Sequence, residues 1–309
     1  MPKIKYIDHK FQQSSLNLLQ RTNAIIDDYR RRGYELTLRQ LYYQLVARDI
    51  IPNTQKEYKK LTNLITNARD AGLVDWHAIV DRTRQRTGLD DWWDPASFLN
   101  DQIRQFRIDK WRDQPHRIFV WVEKEALAGV ISRACSVNHI QVDYVSCRGY
   151  MSASTLWREA RNLHYLKRDN RQHPVIIHLG DHDPSGIDMT RDNIERLAQY
   201  SELIHERDFT FRRIALNWDQ IEQYNPPPNP AKWTDSRAEG YIAEFGNESW
   251  ELDALDPDLL VNLIRSVIAE YRDDDLWQQL TETEEIYSTQ LQQVADNWQD
   301  LIQGNKDDD

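Results

Sequence analysis

Asp181 and Asp183 stand two residues apart in VIIHLGDHDPSG, residues 175–186, and that spacing is the clearest chemical signal in the chain. Residues 175–179 have the apolar run of a buried strand, and Gly180 ends it. Pro184 and Gly186 shape the turn beyond. An Asp-x-Asp pair at the carboxyl end of a strand can point two carboxylates into the crevice where open α/β sheets bind ligands. Two carboxylates that close repel each other unless a cation lies between them. Mg²⁺ suits such a place, because it takes one or two carboxylates plus phosphate oxygens. The same residues also suit a plain helix start, with Asp183 as cap and Pro184 at the first helical position. A second apolar run, RIFVWV at residues 117–122, ends in Glu123. Glu123, Asp181 and Asp183 are therefore the candidate ligands of one or two metal ions. A lone Glu after a strand is ordinarily a helix-terminal charge. Its pairing with Asp-x-Asp in a strand–helix–strand–helix order is what singles it out. Asp188, on the helix that follows, is read as a solvent-facing charge.

A second chemical candidate lies in TLRQLYYQL, residues 37–45. Tyrosine pairs on helices are commonly core, with an apolar body and a polar tip. A tyrosine hydroxyl that reaches both a phosphate and a cation can instead attack phosphorus and become covalently joined to it. Arg39 lies four residues before Tyr43, on the same helix face, where it could hold that phosphate.

The elements around these residues follow from periodicity and punctuation. Residues 11–32 read as a helix closed by Gly33, residues 38–49 as a second capped by Thr37, and residues 54–71 as a third ended by Gly72. LVDWHAIVDRTRQR, residues 73–86, alternates enough for one or two short strands. Three helices and a small β-wing are the layout of a winged helix, whose third helix enters the major groove. Lys56, Lys59, Lys60 and Arg69 would then face the DNA backbone from the third helix, and Arg82, Arg84 and Arg86 from the wing. Residues 184–202 read as a helix, residues 208–217 as a strand, NPPPNP at residues 225–230 as an irregular loop, and residues 257–272 and 276–302 as closing helices. GNKDDD is expected to be a disordered tail.

Charge is unevenly distributed. The net charge is −11, yet residues 251–309 carry 16 acidic side chains against 3 basic ones, and residues 30–90 carry 12 basic against 7 acidic. The electrostatic footprint of a DNA-binding module is local, so the overall acidity does not exclude nucleic acid. The acidic C-terminal helices are read as a solvated surface. The 309 residues suffice for two domains, and 40% hydrophobic content supports a real core. No apolar run approaches the ~20 residues needed to span a bilayer. The first ten residues lack the apolar centre of a signal peptide. Cys135 and Cys147 lie in apolar segments and are expected to be reduced, buried thiols in a cytoplasmic protein.

Residues 37–45 resemble the nucleophile motif of the topoisomerase VI A subunit and its meiotic double-strand-break relatives. VWVEKEALAGVISRA, SCRGYMSASTLWREA and LGDHDPSGIDMT are similar, in order and spacing, to that family's Toprim domain. The resemblance spans about residues 30–200 and is weaker beyond. It implies an α/β chain with a winged-helix (CAP-like) domain at residues 1–112. A Toprim, Rossmann-like α/β domain with C-terminal helices would follow at residues 113–309. It implies Tyr43 as nucleophile, Tyr42 as its structural neighbour, and Glu123, Asp181 and Asp183 as Mg²⁺ ligands. Family members cut double-stranded DNA as homodimers, each tyrosine joining a 5′ phosphate and working with the other subunit's Toprim site. Tyr43 and the acids are thus expected to lie far apart in one protomer. Gln40 stands where the family usually has an acid. The chain is most similar to small stand-alone Mini-A-like proteins and contains no ATPase domain. A separate ATPase subunit is the implied partner of any strand passage, and nucleoid association in the cytoplasm the implied setting. The functional expectation is Mg²⁺-dependent cleavage, with rejoining, through Tyr43. The alternatives are a Toprim nuclease without a covalent intermediate and a non-catalytic DNA-binding relic that needs a partner.

Overall fold

The computed structural model of the chain describes residues 3–80, 90–136, 140–230 and 238–298. The chain divides into two compact units, residues 1–84 with 118–270 and residues 85–117 with 271–309.

Three helices open the first unit. α1 (Gln13–Arg31) is followed by Gly33 at φ +79°. α2 (Leu38–Val46) starts at Thr37, whose hydroxyl accepts the Gln40 N–H at 3.3 Å while the Gln40 side chain accepts the Thr37 N–H at 2.9 Å. That reciprocal cap lets Gln40 be buried with its polar groups satisfied. α3 (Gln55–Asp70) is capped by Thr54 and followed by Gly72 at φ +70°. All three match the sequence expectation to within a few residues. The wing does not. Residues 73–80 contain no strand, only an isolated bridge between Leu36 and Ile79. Asp75 turns the chain here, its carboxylate accepting the His77 N–H at 2.9 Å and pairing with Arg30 at 2.6 Å. Val74, Ala78 and Ile79 are buried. The alternation in this stretch therefore encodes packing rather than a hairpin arm. Arg82, Arg84 and Arg86 lie outside the described residues. Residues Pro95–Gln105 form α4, a helix of the second unit.

The sheet is built from β1 (His116–Val122), β2 (Asp143–Ser146), β3 (His173–Leu179) and β4 (Thr210–Ala215), in the order β2-β1-β3-β4, with β1–β2 and β3–β4 parallel. α5 (Ala128–Ser136), α6 (Ala153–Arg168) and α7 (Pro184–Ser201) are the crossover helices. Parallel strands joined this way need apolar residues on both faces, and residues 118–122 and 174–179 are buried throughout. On one face, Phe119, Trp121, Ile176 and Phe211 pack with Leu156, Ala160 and Leu163 of α6 and Leu197 of α7. The chain leaves β1 toward β2 on one side and then crosses to β3 on the other. The crevice at the carboxyl ends of β1 and β3 is thus the topological switch point, where such sheets bind ligands.

After the sheet come α8 (Trp218–Tyr224), β5 (Asn229–Pro230), α9 (Ala238–Phe245), β6 (Glu248–Ser249) and α10 (Pro257–Tyr271). β5 and β6 form a two-residue antiparallel ladder, so the end of NPPPNP is regular where a loop is expected. A proline at the rim of so short a ladder withholds no internal donor. The acids beside α10 are not all solvated, as the sequence suggests: Arg32 reaches Asp258 at 2.6 Å and Asp256 at 3.1 Å. Cys135 and Cys147 are buried free thiols, and burial pushes each up to about 12.

In the second unit, α11 (Asp274–Asp296) packs with α4. Lys110 is buried and donates to Glu284 Oε1 at 2.9 Å, while Glu284 Oε2 accepts the Ile108 N–H at 2.7 Å. Trp111 and Trp277 meet edge to face, 5.3 Å between centroids. No described helix is long and apolar enough to cross a membrane.

Candidate functional site at the switch point

The carboxyl ends of β1 and β3 are laced together. Glu123 N–H donates to Leu179 O at 2.9 Å, and Glu123 Oε2 accepts the Asp181 N–H at 2.8 Å. The following turn must be tight: a Cβ on Gly186 would stand 2.2 Å from the Asp181 carbonyl oxygen. Arg213, from β4, is the post beneath it. Its guanidinium donates to the carbonyls of Gly186 at 3.1 Å, Gly180 at 3.0 Å and Asp181 at 2.6 Å. Asp183 caps α7, its Oδ1 accepting the Gly186 N–H at 2.6 Å. The cap reading is therefore right, and it does not exhaust the residue, because Asp183 also lines the cavity described below.

A segment that sequence reasoning passes over completes the site. His182 and Trp250 exchange two backbone hydrogen bonds of 2.9 Å, which clamps residues 249–254 onto the Asp181–Asp183 turn. His182 sits among Trp218, Tyr241, Phe245 and Trp250, and burial lowers it to about 4. The clamp delivers Glu251 and Asp253. Lys124, the residue after Glu123, places its ammonium 2.7 Å from Glu251, 2.9 Å from Asp181 and 3.2 Å from Asp253. Asp181 Oδ1 meanwhile accepts the Leu252 N–H at 2.8 Å. Arg39 joins from α2, its Nε donating to Glu251 Oε2 at 2.9 Å. Asp253 Oδ2 is buried without a hydrogen bond among the described residues, with Arg39 Nε at 3.6 Å.

The electrostatics follow from this packing. Burial pulls the Lys124 ammonium down, but Asp253, Asp181 and Glu251 together raise it well above an ordinary lysine, so it stays charged. Burial also pushes Glu251 up, and Lys124 and Arg39 overcome that to hold it at about 2. Burial raises Asp253, and Lys124 opposes it. Burial raises Glu123, and repulsion from Asp183 adds to the rise. Burial raises Tyr43, and Glu251 adds to it.

Arg39, Tyr42, Tyr43, Asp183, Asn229 and Glu251 line one cavity of about 690 Å³. The Tyr43 hydroxyl accepts the Asn229 amide N–H at 3.0 Å, and the Arg39 guanidinium carbon lies 5.9 Å from the Tyr43 ring centre. The Tyr42 hydroxyl is committed to Asn53 Oδ1 at 2.9 Å and Thr54 O at 3.1 Å. Tyr43 and Asp183 thus line one cavity of a single protomer, where the expectation sets the tyrosine and the acids far apart. Residues 249–254 bridge them, bonded to His182 on one side and to Arg39 on the other.

The candidate residues divide accordingly. Tyr43, Arg39 and Asp183 share the cavity, with Glu123 beside the Asp181 backbone and Asp181 turned onto Lys124. Among the described residues no three acidic, imidazole or thiol side chains form a ready metal cage. Glu123 and Asp183, whose mutual repulsion raises Glu123, are the donor pair that suits a single hard cation completed by phosphate oxygens and water. Asp188 instead accepts the Tyr150 hydroxyl at 2.5 Å and Arg191 Nη2 at 2.7 Å. On α3, Lys56, Lys59 and Lys60 are exposed, and Lys60 pairs with Glu57 at 2.5 Å. Arg69 is turned inward, donating to Trp76 O at 3.0 Å and to Ile79 O. The residues missed by sequence reasoning are Lys124, Asn229, Glu251, Asp253 and Arg213. Only Lys124 left a signal: a lysine immediately after a buried strand's acid must find anions.

Site and sheet together define a class: an α/β protein with a tyrosine, two carboxylates bound to the backbone of the turn and a caged lysine at its switch point. No protein-family model matches the chain, and no curated protein matches it either.

Proposed function

We propose that this chain cleaves DNA by tyrosine transesterification, in the manner of a topoisomerase VI A subunit, with a winged-helix-like tyrosine module and a Toprim-like sheet. The observation that carries the reading is the shared cavity of Tyr43, Arg39 and Asp183. Tyr43 Oη attacks the phosphorus of a backbone phosphate. The Oη–P bond forms, the bond to the 3′ oxygen breaks, and the 5′ phosphate stays on the tyrosine. The phenolic proton is lost, and a proton is gained by the departing 3′ hydroxyl. Reversal rejoins the strand. A Mg²⁺ ion held by Glu123 and Asp183 would supply positive charge to the phosphate oxygens as the phosphorus is attacked. Arg39 places its guanidinium beside Tyr43, and Lys124 holds Glu251 ionised and opposes the rise that burial gives Asp181. Lys56, Lys59 and Lys60 offer exposed positive charge to the DNA backbone. Because one protomer brings tyrosine and acid to one cavity, a second copy is not required to assemble the site.

The test is denaturant quenching of a reaction with labelled DNA in Mg²⁺ or Mn²⁺. Wild type is expected to leave a covalent protein–DNA adduct, and Tyr43→Phe none. Equal cutting by both, with no adduct, sinks the proposal. One observation favours a second reading. Burial and Glu251 raise the Tyr43 phenol, which opposes its ionisation. A hydrolytic, Toprim-type nuclease would leave Tyr43 neutral and let water attack. It predicts free ends and activity that survives Tyr43→Phe, so the same assay separates the two.

A further inference from the structure

Tyr42 and Tyr43 are joined through two side-chain amides, and the direction of every bond in that chain is fixed. The Pro228 carbonyl can only accept, and Asn53 Nδ2 donates to it at 2.5 Å. That sets the Asn53 amide. Its Oδ1 accepts the Tyr42 hydroxyl at 2.9 Å, and its Nδ2 also donates to Asn229 Oδ1 at 3.0 Å. Asn229 is set in turn. With its oxygen facing Asn53, its Nδ2 is the end that meets Tyr43, donating to Oη at 3.0 Å. Glu251 Oε1, which can only accept, holds the same orientation at 3.4 Å. The backbone beneath is tied down by the β5–β6 ladder and by the Ser249 hydroxyl, which donates to Asn229 O at 3.3 Å.

Tyr43 Oη is therefore an acceptor, and its own proton has no acceptor among the described residues. The surroundings otherwise oppose a phenolate: burial raises Tyr43, Glu251 and Asp253 add to the rise, and Asn229 and Arg39 work against it. In the attack on phosphorus the phenolic proton is lost to water, the Oη–P bond forms, and the P–O3′ bond breaks with a proton gained at the 3′ oxygen. In rejoining the Oη–P bond breaks and its electron pair returns to Oη. Negative charge passes through Oη in both directions, and the Asn229 N–H points at it in both. An amide gives up no proton, so the chain carries none; it supplies a donor already in place where charge develops, which needs no reorganisation during the reaction.

From this we infer that Asn229 is a catalytic residue of the transesterase, the donor that stabilises negative charge on Tyr43 Oη, with Asn53 and the Pro228 carbonyl as the groups that aim it. Asn53 is a positioning residue, and Tyr42 closes the far end of the chain. The inference rests on the tyrosine-transesterase reading and adds to it the group that makes a buried phenol usable.

The experiment reads the charge on Oη apart from cleavage. Difluorotyrosine is placed at position 43 of the full-length protein. Its phenol ionises nearer neutral pH than that of tyrosine, and its fluorines report the ionisation by NMR, in EDTA and without DNA. Asn229→Leu, of similar volume but with no donor, should raise the titration midpoint by about one pH unit, the size of a hydrogen bond to a charged group. Asn53→Leu leaves Asn229 in place and only frees its amide to turn, so it should raise the midpoint by less. Loosening of the site would act in the opposite sense, because burial is the largest cause of the rise and admitted water lowers it. Adduct formation on duplex DNA with Mg²⁺ is measured in parallel on the same substitutions with tyrosine at position 43, and Asn229→Leu should slow it about 10²-fold. A midpoint unchanged or lowered by Asn229→Leu overturns the inference, and adduct formed by wild type then leaves the transesterase reading standing. A raised midpoint with an unchanged adduct rate also overturns it. Midpoints raised in both variants, with no adduct from wild type, support the amide chain as the donor to Oη and sink the transesterase reading.

Discussion

The two buried lysines make opposite use of the same chemistry. Lys110, in the second unit, meets one acid, Glu284, whose other oxygen is taken by a backbone N–H. Both oxygens of Glu284 are thus engaged. Lys124, at the switch point, meets three acids, and Arg39 supplements it at Glu251 and Asp253. One acid oxygen, Asp253 Oδ2, is left without a hydrogen bond among the described residues. A buried pair that merely fills space can be replaced by apolar side chains of similar volume, often at no cost, whereas a broken one leaves an uncompensated charge. An arrangement with acid in excess has no apolar equivalent. It is explained by what it faces: a cavity with a tyrosine and Asp183 on its wall.

The largest expected effect breaks that comparison directly. Lys124→Met should destabilise the first unit by ~3–5 kcal/mol, because three inward acids lose their shared cation. It should also abolish adduct formation. Lys110→Met alone should cost a similar amount, but Lys110→Met with Glu284→Leu should recover most of it, short of wild type by the ~1–3 kcal/mol of the Ile108 N–H left unpaired. No single apolar partner should rescue Lys124→Met. Urea melts of the four proteins decide it, and full recovery of Lys124→Met by Asp253→Leu would show that the cage is an ordinary ion pair.

A smaller effect is expected at the turn. Gly186→Ala puts a Cβ 2.2 Å from the Asp181 carbonyl oxygen, and backbone must move to admit it. The cost is ~1–3 kcal/mol of stability. Activity should fall further than stability, since Asp183 is aimed by the same turn. Adduct yield measured at a temperature where the variant is fully folded tests this. Undiminished yield would mean that the aim of Asp183 is irrelevant.

Acid should destabilise the first unit through His178. This imidazole is buried beneath the sheet's carboxyl end, and burial, with Arg213 opposing its charge, lowers it to about 3. The sign follows from linkage. The unfolded chain takes a proton near the ordinary value of ~6.5, and the folded chain does not until about 3. Stability is therefore full above pH ~6.5 and falls below it by at most ~1.4 kcal/mol per pH unit for this group. His178→Gln should flatten the slope of urea stability between pH 6.5 and pH 4.5. An unchanged slope would assign the acid sensitivity elsewhere.

What was legible in the sequence was what local rules govern. Thr37, Thr54 and Asp183 cap helices, Gly33 and Gly72 end them, and two apolar runs become the central strands with Glu123 and Asp181 at their tips. The missed parts are non-local. In residues 73–80 the apolar Val74, Ala78 and Ile79 are buried, which in sequence is indistinguishable from a strand. α4 begins at Asp94–Pro95, whose capping box with Ser97 is a local signal of the same kind. Glu251 and Asp253 look like solvent-facing acids in an acidic tail. Only the backbone pairing of His182 with Trp250 turns them inward, and that contact spans 67 intervening positions that no periodicity links.

The smallest effects are expected on α3, where exposed and inward cations sit on one helix. Lys56 and Lys59 are exposed, so replacing either by alanine should leave stability within ~0.5 kcal/mol. If they touch the DNA backbone, each should also lower the slope of log affinity against log salt by about one. Arg69 should behave oppositely. Its guanidinium closes the turn at residues 76–79, so Arg69→Ala should destabilise by ~1–3 kcal/mol through the carbonyls it leaves unpaired and leave the salt slope unchanged. Binding isotherms at several salt concentrations, beside urea melts, test both halves. A salt slope that falls with Arg69→Ala but not with Lys56→Ala or Lys59→Ala would move the DNA path off the exposed face of α3 and toward the turn that Arg69 holds.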